Sequence, residues 1–175
     1  MVACTDTTLP FDPRAPPMPI DPPTYRAALA RFASGVTIVT ARDADGRDVG
    51  MTVSAFSSLS LEPPLVLVCI DRAASVAPVL QHCEQFAVNI LAEDQAPLSR
   101  LFAKHEVDRF EGVTFTRGLH GIALLDGALA HLECRTHTRT PGGDHLILLG
   151  AVEATSLGQG APLLYFGGGY GRLDQ

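Results

Sequence analysis

Apolar and polar positions alternate with a period of two through most of this chain, and helical spacing appears only in three short stretches. Val36-Thr37-Ile38-Val39-Thr40 is rich in β-branched residues, Asp43-Ala44-Asp45-Gly46 is a turn signal, and Asp48 to Val53 resumes the alternation, which predicts a β-hairpin. Further strands are predicted over 65–70, 86–91, 113–116, 128–138, 146–155 and 163–166, with Thr140-Pro141-Gly142-Gly143-Asp144 turning the long pair into a second hairpin. A first helix is predicted from Asp21-Pro22-Pro23 through Tyr25, Leu29, Phe32 and Ala33, ending at Gly35. A second has Ser75 as N-cap, Pro78 in its first turn, and Val76, Val79, Leu80 and Cys83 on one face. A third opens at Asp94 and Pro97 and carries Leu98, Leu101 and Phe102. Many short strands with three short helices predict a mainly β protein, a small antiparallel barrel. The glycines Gly167, Gly168, Gly169 and Gly171 follow the last predicted strand and flank Tyr170, so they predict a mobile or ligand-approaching tail.

Composition narrows the picture. At 175 residues and 46% hydrophobic content the chain closes one core, which predicts a single domain over 22–175 behind an extended or disordered proline-rich arm at 1–21. A net charge of -6 with no Lys/Arg-rich run argues against a nucleic-acid partner. No apolar run approaches the roughly 20 residues that span a bilayer, and the N-terminus lacks a signal-peptide pattern, so a cytoplasmic, soluble protein is expected. Cys4, Cys69, Cys83 and Cys134 are scattered without a Cys-x-x-Cys pair and are expected as free thiols. His131, Glu133, Arg135 and His137 share one face of a strand; a solvated or subunit-facing polar stripe fits them better than a zinc site.

The run from Gly50 to Leu65 holds the candidate chemistry. Its Ser and Thr residues crowd the rim of a predicted sheet and end at Pro63-Pro64, a cradle suited to a phosphorylated or ring-shaped cofactor; the same composition also fits a plain Ser-rich turn. The helix start at Ser75 suits an anion, and equally an ordinary cap. No Gly-x-Ser-x-Gly elbow, no Walker-type Gly-Lys-Ser/Thr and no strand-linked Gly-x-Gly-x-x-Gly occurs. Without a nucleophile–base set, demanding chemistry has to come from a bound cofactor.

Several ordered motifs carry a resemblance: Arg31-Phe32-Ala33-Ser34-Gly35-Val36-Thr37-Ile38-Val39-Thr40, Gly50 through Pro64, Phe86-Ala87-Val88-Asn89-Ile90-Leu91, Gly143-Asp144-His145 and the closing Tyr170. Together they resemble the flavin reductase-like FMN-binding split-barrel family, the small reductase components of two-component flavin-dependent monooxygenases, from about Pro22 to Leu173. The resemblance implies a homodimeric antiparallel split β-barrel that binds FMN or FAD, reduces it with NADH or NADPH, and releases it to a separate monooxygenase. It implies that Gly50, Met51, Thr52, Ser54 and Ala55 lie against the flavin ring and ribityl chain, with Cys69, Ile70 and Asp71 continuing that wall. Ser75 would meet the flavin phosphate, and Leu101 and Phe102 would close the phosphate and nucleotide end. His145 would stand next to the nicotinamide, where a structural histidine is the other reading. Phe166, Gly167, Gly168 and Tyr170 would lie by the pyridine nucleotide, with Tyr170 also readable as a ring packed over a barrel end. Many relatives carry arginine at the position of Gly167. A flavin-binding carrier or sensor, or a split-barrel flavoenzyme acting directly on an organic substrate, stands as the alternative.

Overall fold

Val39 and Ala41 point to one side of their strand, Ile38 and Thr40 to the other, and all four are buried. That strand therefore lies between two apolar layers, which is why its sequence reads as an almost continuous β-branched run. In the computed structural model, which describes residues 20–105 and 107–173, the chain forms twelve strands and three short α-helices. The strands are β1 (Ser34–Gly35), β2 (Thr37–Arg42), β3 (Asp48–Val53), β4 (Phe56–Leu61), β5 (Pro64–Asp71) and β6 (Gln85–Ile90). They continue with β7 (Phe115–Arg117), β8 (Ala123–Leu125), β9 (Ala130–Gly142), β10 (His145–Leu157), β11 (Leu164–Phe166) and β12 (Gly169–Gly171). The helices are α1 (Pro22–Leu29), α2 (Ala77–Leu80) and α3 (Ala96–Phe102). The arm predicted at 1–21 lies, apart from Ile20 and Asp21, outside the described residues.

Seven strands form one antiparallel sheet in the order β3-β2-β6-β9-β10-β5-β4. Its two edges, β3 and β4, are consecutive in the chain and joined only by Ser54 and Ala55, so the sheet curls until its edges meet at that corner. Hydrogen bonds hold the corner: Phe56 N–H donates to the Ser54 carbonyl and Cys69 N–H to the Ala55 carbonyl, both at 2.9 Å. The result is a barrel split between β3 and β4. Val39, Val53, Val68, Ile70, Phe86, Val88 and Leu148 fill it. On the outside of β2, Ile38 packs with Leu91, Phe102, Leu125 and Leu163 beneath α3 and the β7–β8 hairpin. Asn89, wholly buried between these layers, donates to the Ile38 carbonyl and accepts from Leu125 N–H, so it stays satisfied.

Besides the unpredicted strand β8 and the continuation of β9 through Gly142, which leaves Gly143 and Asp144 as the turn, the structure departs from the predicted elements in four places. Asp21 caps α1 by accepting from Thr24 N–H, but the helix stops at Leu29, and Ser34–Gly35 pairs with β11. No residue of α1 is buried, so the Tyr25/Leu29/Phe32 spacing does not face this chain's own core. Ser75 does not cap α2: the helix begins at Ala77, its cap position is Val76, and Arg109 occupies the Ser75 hydroxyl. The Ser-rich run does not stay a rim loop, since its second half is the edge strand β4, paired with β5. The glycine-rich end is not a tail. Gly167 and Gly168, at φ 60° and 85°, make a two-residue turn between β11 and β12, the positive-φ geometry that two-residue hairpins require.

Candidate functional site

β3 is an edge strand, and alternation in its pairing with β2 decides what that edge offers. The Gly50 carbonyl accepts from Arg109 Nη1 at 3.0 Å and so turns away from β2. In an antiparallel pair, groups alternate every second residue, so Thr52 likewise turns its N–H and carbonyl to the open edge. Gly50 is small out of necessity: a Cβ there would stand 2.8 Å from Phe102 Cε1 and 3.0 Å from the Val39 carbonyl oxygen. Thr52 Oγ1 donates to the Ser99 carbonyl at 2.6 Å, fixing the strand to α3.

Three cavities follow one another along this edge. The first, of about 360 Å³, is lined by Met51, Thr52, Asp71, Phe102 and Arg109, among others. The second, of about 240 Å³, shares Thr52 and adds Ser54, Ser99, Tyr165 and Tyr170. The third, of about 730 Å³, shares Ser54 and Tyr165 and opens past Ala55, Cys69 and Gly168 toward Arg26, Leu29 and Phe32. Shared lining residues make them one groove, with the run from Met51 to Ala55 along its length. Of the predicted residues, Met51, Thr52, Ser54, Ala55, Cys69, Asp71, Phe102, Gly168 and Tyr170 line it.

The others take different places. Ile70 is wholly buried in the barrel, because β5 alternates and Leu65, Leu67, Cys69 and Asp71 take the opposite face, the last three lining the groove. Leu101 packs against the cluster under α3, where Phe102, although it reaches the first cavity, is 1% exposed and in edge-to-face contact with Phe110 at 5.1 Å. Phe166 is exposed on the far side of its hairpin, and Gly167 N–H donates to the Ala30 carbonyl, tying the hairpin to the end of α1. His145 lines none of the three cavities. Its Nδ1 is 2.7 Å from Asp144 Oδ1, which holds the Asp144 carboxyl below the usual carboxylate range. Its strand partner Asp71 does line the first cavity, so His145 stands at the rim there, apart from Tyr170.

Arg109 is the residue that sequence reasoning missed. Its guanidinium donates to the Gly50 carbonyl, to Ser75 Oγ at 3.0 Å and to the Lys104 carbonyl, joining β3, the turn before α2 and the end of α3 around one end of the groove. Partial burial lowers its pKa from the ordinary value, yet a guanidinium stays charged at neutral pH. Among the described residues Cys69, Cys83 and Cys134 are free thiols, Cys4 lying outside them; burial raises Cys69 and Cys83, and Cys134 is pushed up to about 12 by burial and by the nearby Glu153 and Glu133. Among the described residues, no cluster of His, Cys, Asp and Glu is arranged to hold a metal ion, and His131 is engaged by Ser156 and the Leu125 carbonyl.

A split antiparallel barrel with an edge-strand groove defines a small-molecule binding class, and comparison with known proteins assigns it. The flavin reductase-like domain matches residues 29–174, and the chain belongs to that family. It is 47% identical over 150 residues to the reductase component of 4-hydroxyphenylacetate 3-monooxygenase from Thermus thermophilus, covering 85% of this chain and 95% of that one. It is 45% identical over 149 residues to the actinorhodin polyketide dimerase of Streptomyces coelicolor, covering 85% and 84%. Among solved structures, an NADH:FAD oxidoreductase of Streptomyces globisporus in complex with NAD and FAD fragments superposes with a TM-score of 0.83 at 38% identity, covering 89% of this chain and 96% of that chain. Among the described residues no helix is long and apolar enough to cross a membrane.

Proposed function

We propose that the protein is an NADH- or NADPH-dependent flavin reductase that moves a hydride from nicotinamide C4 to flavin N5 of FMN or FAD and passes the reduced flavin to a separate monooxygenase. The observation that carries this reading is the open edge of β3: the outward backbone groups of Thr52 and the small residues Ser54 and Ala55 front a groove that suits a flat heterocycle. Flavin fits the donor set, since Thr52 offers backbone groups beside the ring position and Arg109 with the Ser75 hydroxyl offers a cationic end for a phosphate. Bound flavin supplies the hydride acceptor, so the protein needs no nucleophile of its own. Its residues position: Ser54 and Ala55 admit close approach, Cys69 and Asp71 bound the wall, and backbone N–H groups at the β3 edge stabilise the electron-rich reduced ring. Gly168 and Tyr170 form the pyridine-nucleotide side, and His145 with Asp144 orients a polar group at the rim.

A homodimer is part of the proposal. Leu67 and Cys69, which line the third cavity, continue into Ile147 and Leu149 as a half-buried apolar patch on the outer face of β5 and β10, so the groove adjoins the proposed interface; Leu59, Leu61 and Leu157 are exposed beside it, and α1 buries nothing in its own chain. Anaerobic stopped-flow mixing with NADH and with NADPH, over FMN and over FAD, tests the activity. Bleaching of the flavin absorbance by either nucleotide is expected, and an unbleached spectrum with all four pairs contradicts it.

A further inference from the structure

Ser99 is wholly buried in α3, where alanine would favour the helix more, so its hydroxyl calls for a reason. The reason lies 2.8 Å away at the hydroxyl of Tyr170 in β12. The carbonyl of the same residue accepts from Thr52 Oγ1 in β3. One helical turn is therefore bonded to the flavin wall through its backbone and to the C-terminal hairpin through its side chain. The adjacent Arg100 lays its guanidinium over the Tyr170 ring, 4.9 Å from the centroid, and Tyr165 meets that ring edge-on at 5.6 Å. Thr52, Ser99, Tyr165 and Tyr170 all line the middle cavity of the groove.

We infer that Ser99 is a positioning residue: through Tyr170 it sets the β11–β12 hairpin against the groove, and so fixes the nicotinamide side of the site independently of the flavin side. The inference rests on the proposed assignment of that hairpin to the pyridine nucleotide. Two halves of one residue do two jobs, and substitution separates them. Ser99→Ala deletes the hydroxyl and keeps the carbonyl, so the KM for NADH rises about three- to tenfold, the worth of one hydrogen bond, while the KM for flavin stays within about twofold. Tyr170→Phe removes the same bond from the other side and gives the same split in KM. Because both delete one interaction, the double variant is no worse than either single one.

Amide hydrogen exchange over Leu164–Gly171 reads the hairpin without reference to activity. Faster exchange in both variants, with the KM split, is the expected result. Unchanged exchange in both variants overturns the positioning role of Ser99. Faster exchange with an unchanged KM for NADH upholds that role and removes the hairpin's assignment to the nicotinamide. If Ser99→Ala does not fold, Tyr170→Phe decides by the same two readouts.

Discussion

The two halves of the Ser/Thr run, Gly50–Ala55 and Phe56–Leu61, both carry hydroxyl residues, the second more of them, yet they differ in what those residues meet. The first half is anchored from the groove side by Arg109 at Gly50 and by Ser99 at Thr52, and it lines three successive cavities. In the second half, β4, Phe56 and Ser57 reach the third cavity where the halves join, every residue from Ser57 to Leu61 is exposed, and among the described residues β5 is its strand partner. Hydroxyl content therefore does not mark the site. What sets the first half apart is an edge strand whose outward Gly50 carbonyl meets an arginine, and whose Thr52 hydroxyl meets α3, from distant parts of the chain. Ser54 and Ala55 lie where the two halves join, at the corner that closes the split barrel.

Substitutions test that contrast, beginning with the largest expected effect. Gly50→Val drives a branched side chain into Phe102 and the Val39 carbonyl, and backbone cannot give way as a side-chain tip can. A loss of about 3 kcal/mol is expected, lowering Tm by roughly 6–12 °C in a thermal melt. Arg109→Ala removes the cation from the proposed phosphate end and unties Gly50 from Ser75; titration is expected to show flavin binding weakened by about 10- to 100-fold, with a shallower dependence on salt. Thr52→Val keeps the shape and deletes the bond to Ser99, costing about 1 kcal/mol in urea denaturation and raising the flavin KM severalfold. Ser58→Ala, in the exposed half, is expected to stay within about 0.5 kcal/mol of the parent and to leave the kinetics unchanged. A loss there matching that of Thr52→Val would erase the distinction between the halves.

Most strands were legible because alternation and β-branched runs report burial directly: β2, β3, β5, β6, β9 and β10 all fall where the pattern predicts them. The split-barrel fold and its flavin chemistry came from ordered motifs taken together, with family resemblance supplying what spacing alone could not. Partnership across long sequence distances escaped detection. Ser75 looks like a helix cap until Arg109 is seen to hold its hydroxyl, a bond spanning thirty-four residues. Gly167 and Gly168 look like a tail until the positive φ values at both close a hairpin, although a Gly-Gly pair between Phe166 and Tyr170 carries that signal. The resemblance puts Ile70 in the wall with Cys69 and Asp71, whereas the period of two in β5 sends its side chain into the barrel. Arg109 carries no local pattern, because its role exists only once β3, α3 and the turn before α2 are brought together.

The central claim is that the corner between the two halves forms the flavin wall, and it is tested most directly by comparing Ser54→Leu with Ser58→Leu in steady-state NADH oxidation across a range of flavin concentrations. Ser54→Leu fills the groove that Ser54 lines, so its KM for flavin is expected to rise at least about tenfold, while Ser58→Leu stays within about twofold of the parent. An unchanged flavin KM in Ser54→Leu, or equal increases in both variants, would contradict the account.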